Sequence, residues 1–234
     1  MLKPALASAW SLYRQNFGLI AAIVLIVWLP IEVVYAYCEY EVFDPENLKG
    51  PFRLGQLLEN VVGIIGIAAL TRLTLTAGSG QKATLAESMG AALQSWGRLF
   101  WTRLLSGLVI VFTLLLLIVP GIYFATRFCF AECAVVGEGV SGTRALQRSH
   151  ELTRGRFWPV LGFNALLLTG AGIVMCIVIL PVVFVPALDN WPVSAGFMLV
   201  ADLLMAFLTV AYTHYYALLI EVTPADELPA PTLS

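Results

Sequence analysis

Charge is what this 234-residue sequence has least of. Asp, Glu, Lys and Arg make up 12% of it, about half the share of a soluble domain. The formal net charge is −2, so no basic field suits nucleic acid, and none is expected as a partner. Histidine occurs only at His150 and His214. Neither a metal-ligand set nor a nucleophile–base pair stands at a recognisable spacing, so no catalytic residue, metal or cofactor is expected. Cys38 and Cys176 are isolated, and the four cysteines make no disulfide framework. Polar stretches long enough to fold a core of their own are also missing.

Apolar runs fill the space that charge leaves. Hydrophobic residues reach 59% and mean hydropathy is +0.86. Six runs stand out: 17–37, 57–75, 104–119, 122–136, 160–185 and 193–220. Most approach the roughly 20 residues that carry a helix across a bilayer. The expected fold is all-α, a polytopic transmembrane bundle of six spans within one domain, 1–222. The acidic, proline-rich tail 223–234 reads as disordered. Residues 17–37 exceed the apolar core of a signal peptide, so this run is expected to stay as the first span.

Arginine sets the orientation. Lys3 and Arg14 precede the first run. Arg72, Lys82, Arg98 and Arg103 lie in the second connection, and Arg144, Arg148, Arg154 and Arg156 in the fourth. The first connection carries Glu39, Glu41, Asp44 and Glu46 against Lys49 and Arg53, the third is a Pro120-Gly121 turn, and the fifth has Asp189 and no basic residue. This alternation predicts both termini in the cytoplasm.

Amphipathic helices are expected ahead of the spans. Thr84-Leu85-Ala86-Glu87 is a capping box. Behind it Leu85, Met89, Ala92, Leu93, Trp96 and Phe100 share one apolar face, which suits the membrane interface or a connector packed on the bundle. Segment 141–156 is expected to present Arg144, Arg148 and Arg154 to anionic headgroups. Residues 9–17, 95–100 and 149–157 share a pattern, with Trp10/His150, Leu12/Leu152, Arg14/Arg154 and Phe17/Phe157 in register. The pattern reads as three repeats of interfacial helix plus helical hairpin, or as chance recurrence.

Ionisable residues inside spans are costly and usually face the bundle interior. Arg127, Asp202, Glu32, Glu132 and His214 are the candidates, with Glu59 near a span end. Counted from the outer ends, Arg127, Asp202 and Glu32 share a depth. Arg127 is expected within one water-mediated contact of Asp202 or Glu32, either as structural bonding or on a transport or proton path. Glu132 lies about 140° round the helix from Arg127, a poor pairing. Gly121, Ala125, Cys129, Cys133 and Gly137 recur every four residues. That stripe is expected to admit another helix closely; a soft metal on the two cysteines lacks further ligands. Pro30, Pro120 and Pro181 fall near outer ends, as termini or helix interruptions.

Pro120-Gly121-Ile122-Tyr123, Arg127, Ala134-Val135-Val136, Ala145-Leu146, Ser149 and Leu152-Thr153-Arg154-Gly155-Arg156-Phe157-Trp158 resemble the glycerophosphoryl diester phosphodiesterase membrane-domain family. His150 departs from the Trp expected there. The resemblance implies a six-span bacterial membrane module. In some members that module precedes a soluble catalytic barrel, for which this chain has no segment. Three functions follow as expectations. One is a non-enzymatic module in lipid or envelope homeostasis, with the bilayer, anionic headgroups or a membrane protein as partner. The others are a small transporter using the Arg127/Asp202 region and an enzyme on lipid head groups. A polar cavity at Arg127 and Asp202 would favour transport; a filled core with a lipid groove would favour the first.

Overall fold

The computed structural model describes residues 2–43, 49–185 and 190–222. The tail 223–234 and most of the fifth connection lie outside them. Among the described residues the regular structure is helical: α1 (Leu2–Gln15), α2 (Phe17–Tyr37), α3 (Lys49–Leu58), α4 (Ile64–Gly78), α5 (Leu85–Leu116), α6 (Ile118–Phe128), α7 (Ala131–Glu138), α8 (Thr143–Leu152), α9 (Phe157–Phe184) and α10 (Trp191–Val222). Short π-helical segments, Cys38–Val42 and Glu59–Gly63, extend α2 and join α3 to α4. Among the described residues six helices are long and apolar enough to cross a membrane: Phe17–Val42, Gly50–Gly78, Leu85–Leu116, Ile118–Glu138, Phe157–Val178 and Trp191–Val222. The all-α six-helix bundle expected from the apolar runs is the fold.

Helix boundaries moved where the capping chemistry demanded it. Thr84 is extended and its hydroxyl accepts from the Glu87 amide at 3.3 Å. The Glu87 carboxylate accepts from that same hydroxyl at 2.7 Å. Beyond this cap no proline interrupts the chain up to Leu116, and α5 runs unbroken for 32 residues. The expected interfacial helix and third span are therefore one helix. The turn placed at Pro120-Gly121 lies earlier, at the extended residue Leu117. Pro120 falls in the first turn of α6, where its missing N–H costs nothing.

α10 is the hub, packing against α2, α4, α1 and α9. One core region joins Ile20, Ile23, Val24 and Trp28 of α2 to Leu70 and Leu73 of α4 and Val210 of α10. A second gathers Phe130, Phe163, Tyr215 and Tyr216 with Ala5 and Ala9 of α1. The lead-in helix α1 thus lies on protein. Tyr13 donates to the Leu203 carbonyl at 2.8 Å, and Ser8 Oγ meets His214 Nε2 at 2.8 Å. Of the three proposed repeat units, the first and third each open a span at the aligned residue, Phe17 and Phe157. The second has no break inside α5.

Candidate functional site

Five ionisable side chains from five of the six candidate spans form a network inside the bundle. Arg103 of α5 grips Glu132 of α7 with two bonds, Nε to Oε1 at 2.7 Å and Nη2 to Oε2 at 3.0 Å. The forked geometry matches two parallel N–H groups to two carboxylate oxygens. Arg103 also acts through space on Glu59. Glu59 accepts from Trp28 Nε1 at 3.3 Å. Glycines make the room: a Cβ at Gly63 would lie 2.7 Å from the Glu59 carboxyl carbon, and one at Gly66 2.1 Å from the Trp28 ring. The π-helical turn Glu59–Gly63 leaves the Val61 carbonyl to Trp96, whose Nε1 donates at 2.7 Å. Trp96 is therefore bonded to protein through its indole N–H.

Asp202 of α10 stands at the other end of this network. Glu32 and Glu59 are the charged groups that act on it. Its Oδ2 is buried and has no hydrogen-bond partner. Among the described residues no group of three or more His, Cys, Asp or Glu is placed to hold a metal ion.

Arg127 does not join the carboxylates, contrary to expectation. Its guanidinium lies 5.0 Å from the Tyr123 ring centre and 5.9 Å from that of Phe157. Nη1 approaches Thr153 Oγ1 at 3.4 Å, and Nε is buried without a partner. The helices that α6 packs on account for this. α6 packs on α5, α8 and α9, whereas Glu32 and Asp202 sit on α2 and α10, which pack on each other. Arg127 faces the α8–α9 junction, so its long stem carries the charge toward a helix end.

α8 explains the break between α6 and α7. Ser149 Oγ donates to the Arg127 carbonyl at 2.7 Å and accepts from the buried Phe130 amide at 3.0 Å. It satisfies both backbone groups that the break leaves open. Gly142, with φ +58°, starts α8 and donates to Thr102 Oγ1 at 2.8 Å; only glycine adopts that backbone cheaply. Ala145, Leu146, Ser149 and Leu152 are buried, so the apolar face of this helix is covered by protein. Of the arginines expected to face headgroups, Arg148 pairs with Glu138 at 2.6 Å. Glu138 also accepts from Tyr216 at 2.7 Å. Arg144 and Arg154 are exposed, and Arg156 Nη2 reaches the Val222 carbonyl at 3.4 Å.

The small-residue stripe is split by the same break. Gly121 does admit a close neighbour: a Cβ there would lie 2.9 Å from Leu114 Cα. Gly137 lies close to Leu75, and Cys133 is buried. Ala125 and Cys129, expected in tight helix contact, instead line an apolar groove of about 520 Å³ between α6, α9 and α10. Leu161, Asn164, Leu168 and Tyr212 complete its wall. The helices splay there because α6 ends at Phe128 and the chain turns away.

Sequence reasoning placed Arg103 in a loop and Glu59 at a span end, and so missed both as network members. The signals were present: no proline between Thr84 and Leu116, and Gly63 and Gly66 one and two turns after Glu59. A family model described as Domain of unknown function (DUF7847) matches residues 51–219. This stretch contains the groove, the α8 dock and all of the ionisable network except Glu32. No curated protein and no solved structure matches the chain.

Proposed function

We propose, from the premise that the chain belongs to the family Domain of unknown function (DUF7847), that it is a non-enzymatic multi-pass module holding a lipid tail. The groove between α6, α9 and α10 carries this reading. Its walls are almost wholly apolar, and it lies on helices whose outer faces expose Ile122, Leu168 and Ile173. Surfaces of that kind face acyl chains in a spanning bundle. The setting proposed is the bacterial inner membrane, with both termini cytoplasmic, on the arginine distribution. The role proposed is lipid or envelope homeostasis, in line with the resemblance to phosphodiesterase membrane domains. Native mass spectrometry of protein purified in mild detergent tests it. The wild type should retain lipid, and Ala125→Phe, which fills the groove, should lose it. Equal retention by both would sink the reading.

Asp202 favours a second reading, proton or cation transport. An unpartnered carboxylate oxygen among two further carboxylates marks an ion path in many spans. The two cavities described, the groove and one beside Arg72, Glu138 and Tyr216, are lined by neither Asp202 nor Arg127. Proton flux into liposomes that disappears with Asp202→Asn would promote this reading over the first.

A further inference from the structure

We infer that the groove is the tail half of a site for an anionic, phosphate-headed lipid, with Arg127, Arg154 and His150 holding the head. The inference rests on the groove reading above and adds the chemistry of the ligand.

Arg127 provides the first argument. Aromatic rings and one hydroxyl surround its guanidinium, and Nε is buried with no acceptor. Among the described residues no carboxylate forms an ion pair with it. Arginine cannot shed its charge, so this environment calls for an anion. A phosphate meets the need with two parallel acceptors.

Position provides the second. Arg127 overlies Phe157, and Leu161, one turn further along α9, is the first α9 residue of the groove wall. Arg154 is exposed beside this junction, and Arg127 and Arg154 both act on His150. Glu151 is the carboxylate in the neighbourhood, and it accepts from Gln147 at 3.1 Å. Along α9 the arginines therefore lie ahead of the groove wall, and on α6 Arg127 stands beside it, between the wall residues Thr126 and Cys129, so a head at Arg127 and a tail in the groove are within reach of one lipid.

Length provides the third. Along α9 the wall runs from Leu161 to Ala171, about 15 Å at 1.5 Å per residue. That is half of the roughly 30 Å hydrocarbon core, the depth of one leaflet. Trp158 is 77% exposed at the charged end, where indole rings sit among headgroups. A lipid of one leaflet thus has its phosphate at Arg127 and one tail along Ala125 and Cys129.

The experiment compares retention of phosphatidylglycerol and phosphatidylcholine with identical tails by the delipidated full chain, read by native mass spectrometry. Choline offsets the phosphate charge, so the wild type should retain phosphatidylglycerol in preference. Arg127→Gln should reduce that retention about tenfold, toward the phosphatidylcholine level, as expected for one lost charge-assisted contact. Arg127→Lys should fall between the two. Ala125→Phe should lose both lipids. If Ala125→Phe abolishes retention but Arg127→Gln leaves the headgroup preference intact, the head assignment is wrong and the groove reading stands. If Ala125→Phe changes nothing, the groove reading itself fails. Should Arg127→Gln not fold, Arg154→Gln, an exposed change, reads the same preference, and an unaltered preference overturns the inference.

Discussion

At the scale of single residues, Arg103 and Arg127, both inside candidate spans, solve one problem in different ways. A guanidinium in an apolar bundle must pair, reach headgroups or meet water. Arg103 pairs. Its contact with Glu132 is bidentate, and both side chains keep partial exposure, 26% and 33%. Glu132→Gln should therefore lower stability by about 3 kcal/mol, at the low end for a broken buried pair. Thermal unfolding in detergent reads this. Replacing both partners, with Arg103→Met and Glu132→Leu, should recover most of the loss, because no charge is then left alone. A double variant no more stable than the single one would show that the pair does not carry the cost. His150 adds a pH dependence. Burial, then the charges of Arg127 and Arg154, hold it below the ordinary imidazole range. The unfolded imidazole binds its proton at higher pH than the folded one. Stability is thus full above about pH 6.5 and is lost as pH falls toward the folded value. His150→Gln should flatten the melting temperature across that window relative to wild type.

At the scale of elements, the break between α6 and α7 is the feature that the sequence did not disclose. Helix caps are local, so Thr84 was legible in advance, whereas of the face expected behind it Leu85, Met89, Ala92 and Trp96 pack on the core while Leu93 and Phe100 are exposed and Ser88, Ser95 and Leu99 are buried instead. The break depends on Ser149, 19 residues from the amide it receives, and no local pattern announces such a partner. The same non-local packing turned Arg127 toward α8 and opened the groove where a tight stripe was expected. Two contrasts test this. Ser149→Ala leaves a buried Phe130 amide without an acceptor and should cost about 1–3 kcal/mol. Hydrogen exchange at Phe130 should accelerate with it, and an unchanged rate would remove α8 from the role of plug. Gly121→Ala should destabilise by a similar amount, since the new methyl meets Leu114 backbone at 2.9 Å. Ala125→Leu enters the groove instead and should stay within about 0.5 kcal/mol of wild type. Equal losses at both positions would mean that the groove closes.

At the scale of the whole molecule, the six apolar helices were legible because crossing a hydrocarbon layer leaves few solutions and a long compositional signature. Their neighbours were not legible. α1 read as an interfacial helix, yet Tyr13 and Ser8 bond to α10; its small residues Ala5 and Ala9 were the hint that a helix would press against it. Orientation is the remaining global property, and arginine positions bear on it directly. Arg72 and Arg98 flank connection two and Arg144 and Arg154 lie in connection four, whereas the first carries Glu39, Glu41, Asp44 and Glu46 against Lys49 and Arg53. α5 complicates the count, because Arg103, once assigned to a connection, lies within this helix and is paired with Glu132. Without it Lys82 in the second connection and Arg72 and Arg98 on the helices that flank it still carry positive charge near the span ends, where the positive-inside bias acts. Reporter fusions at Lys49 and after Val222 should accordingly report opposite sides of the membrane, the second one cytoplasmic. Adding Arg103→Gln should leave both reports unchanged, because its charge is neutralised inside the bundle. A fusion pair on the same side would break the six-span topology. A topology that flips with Arg103→Gln would return that residue to the loop.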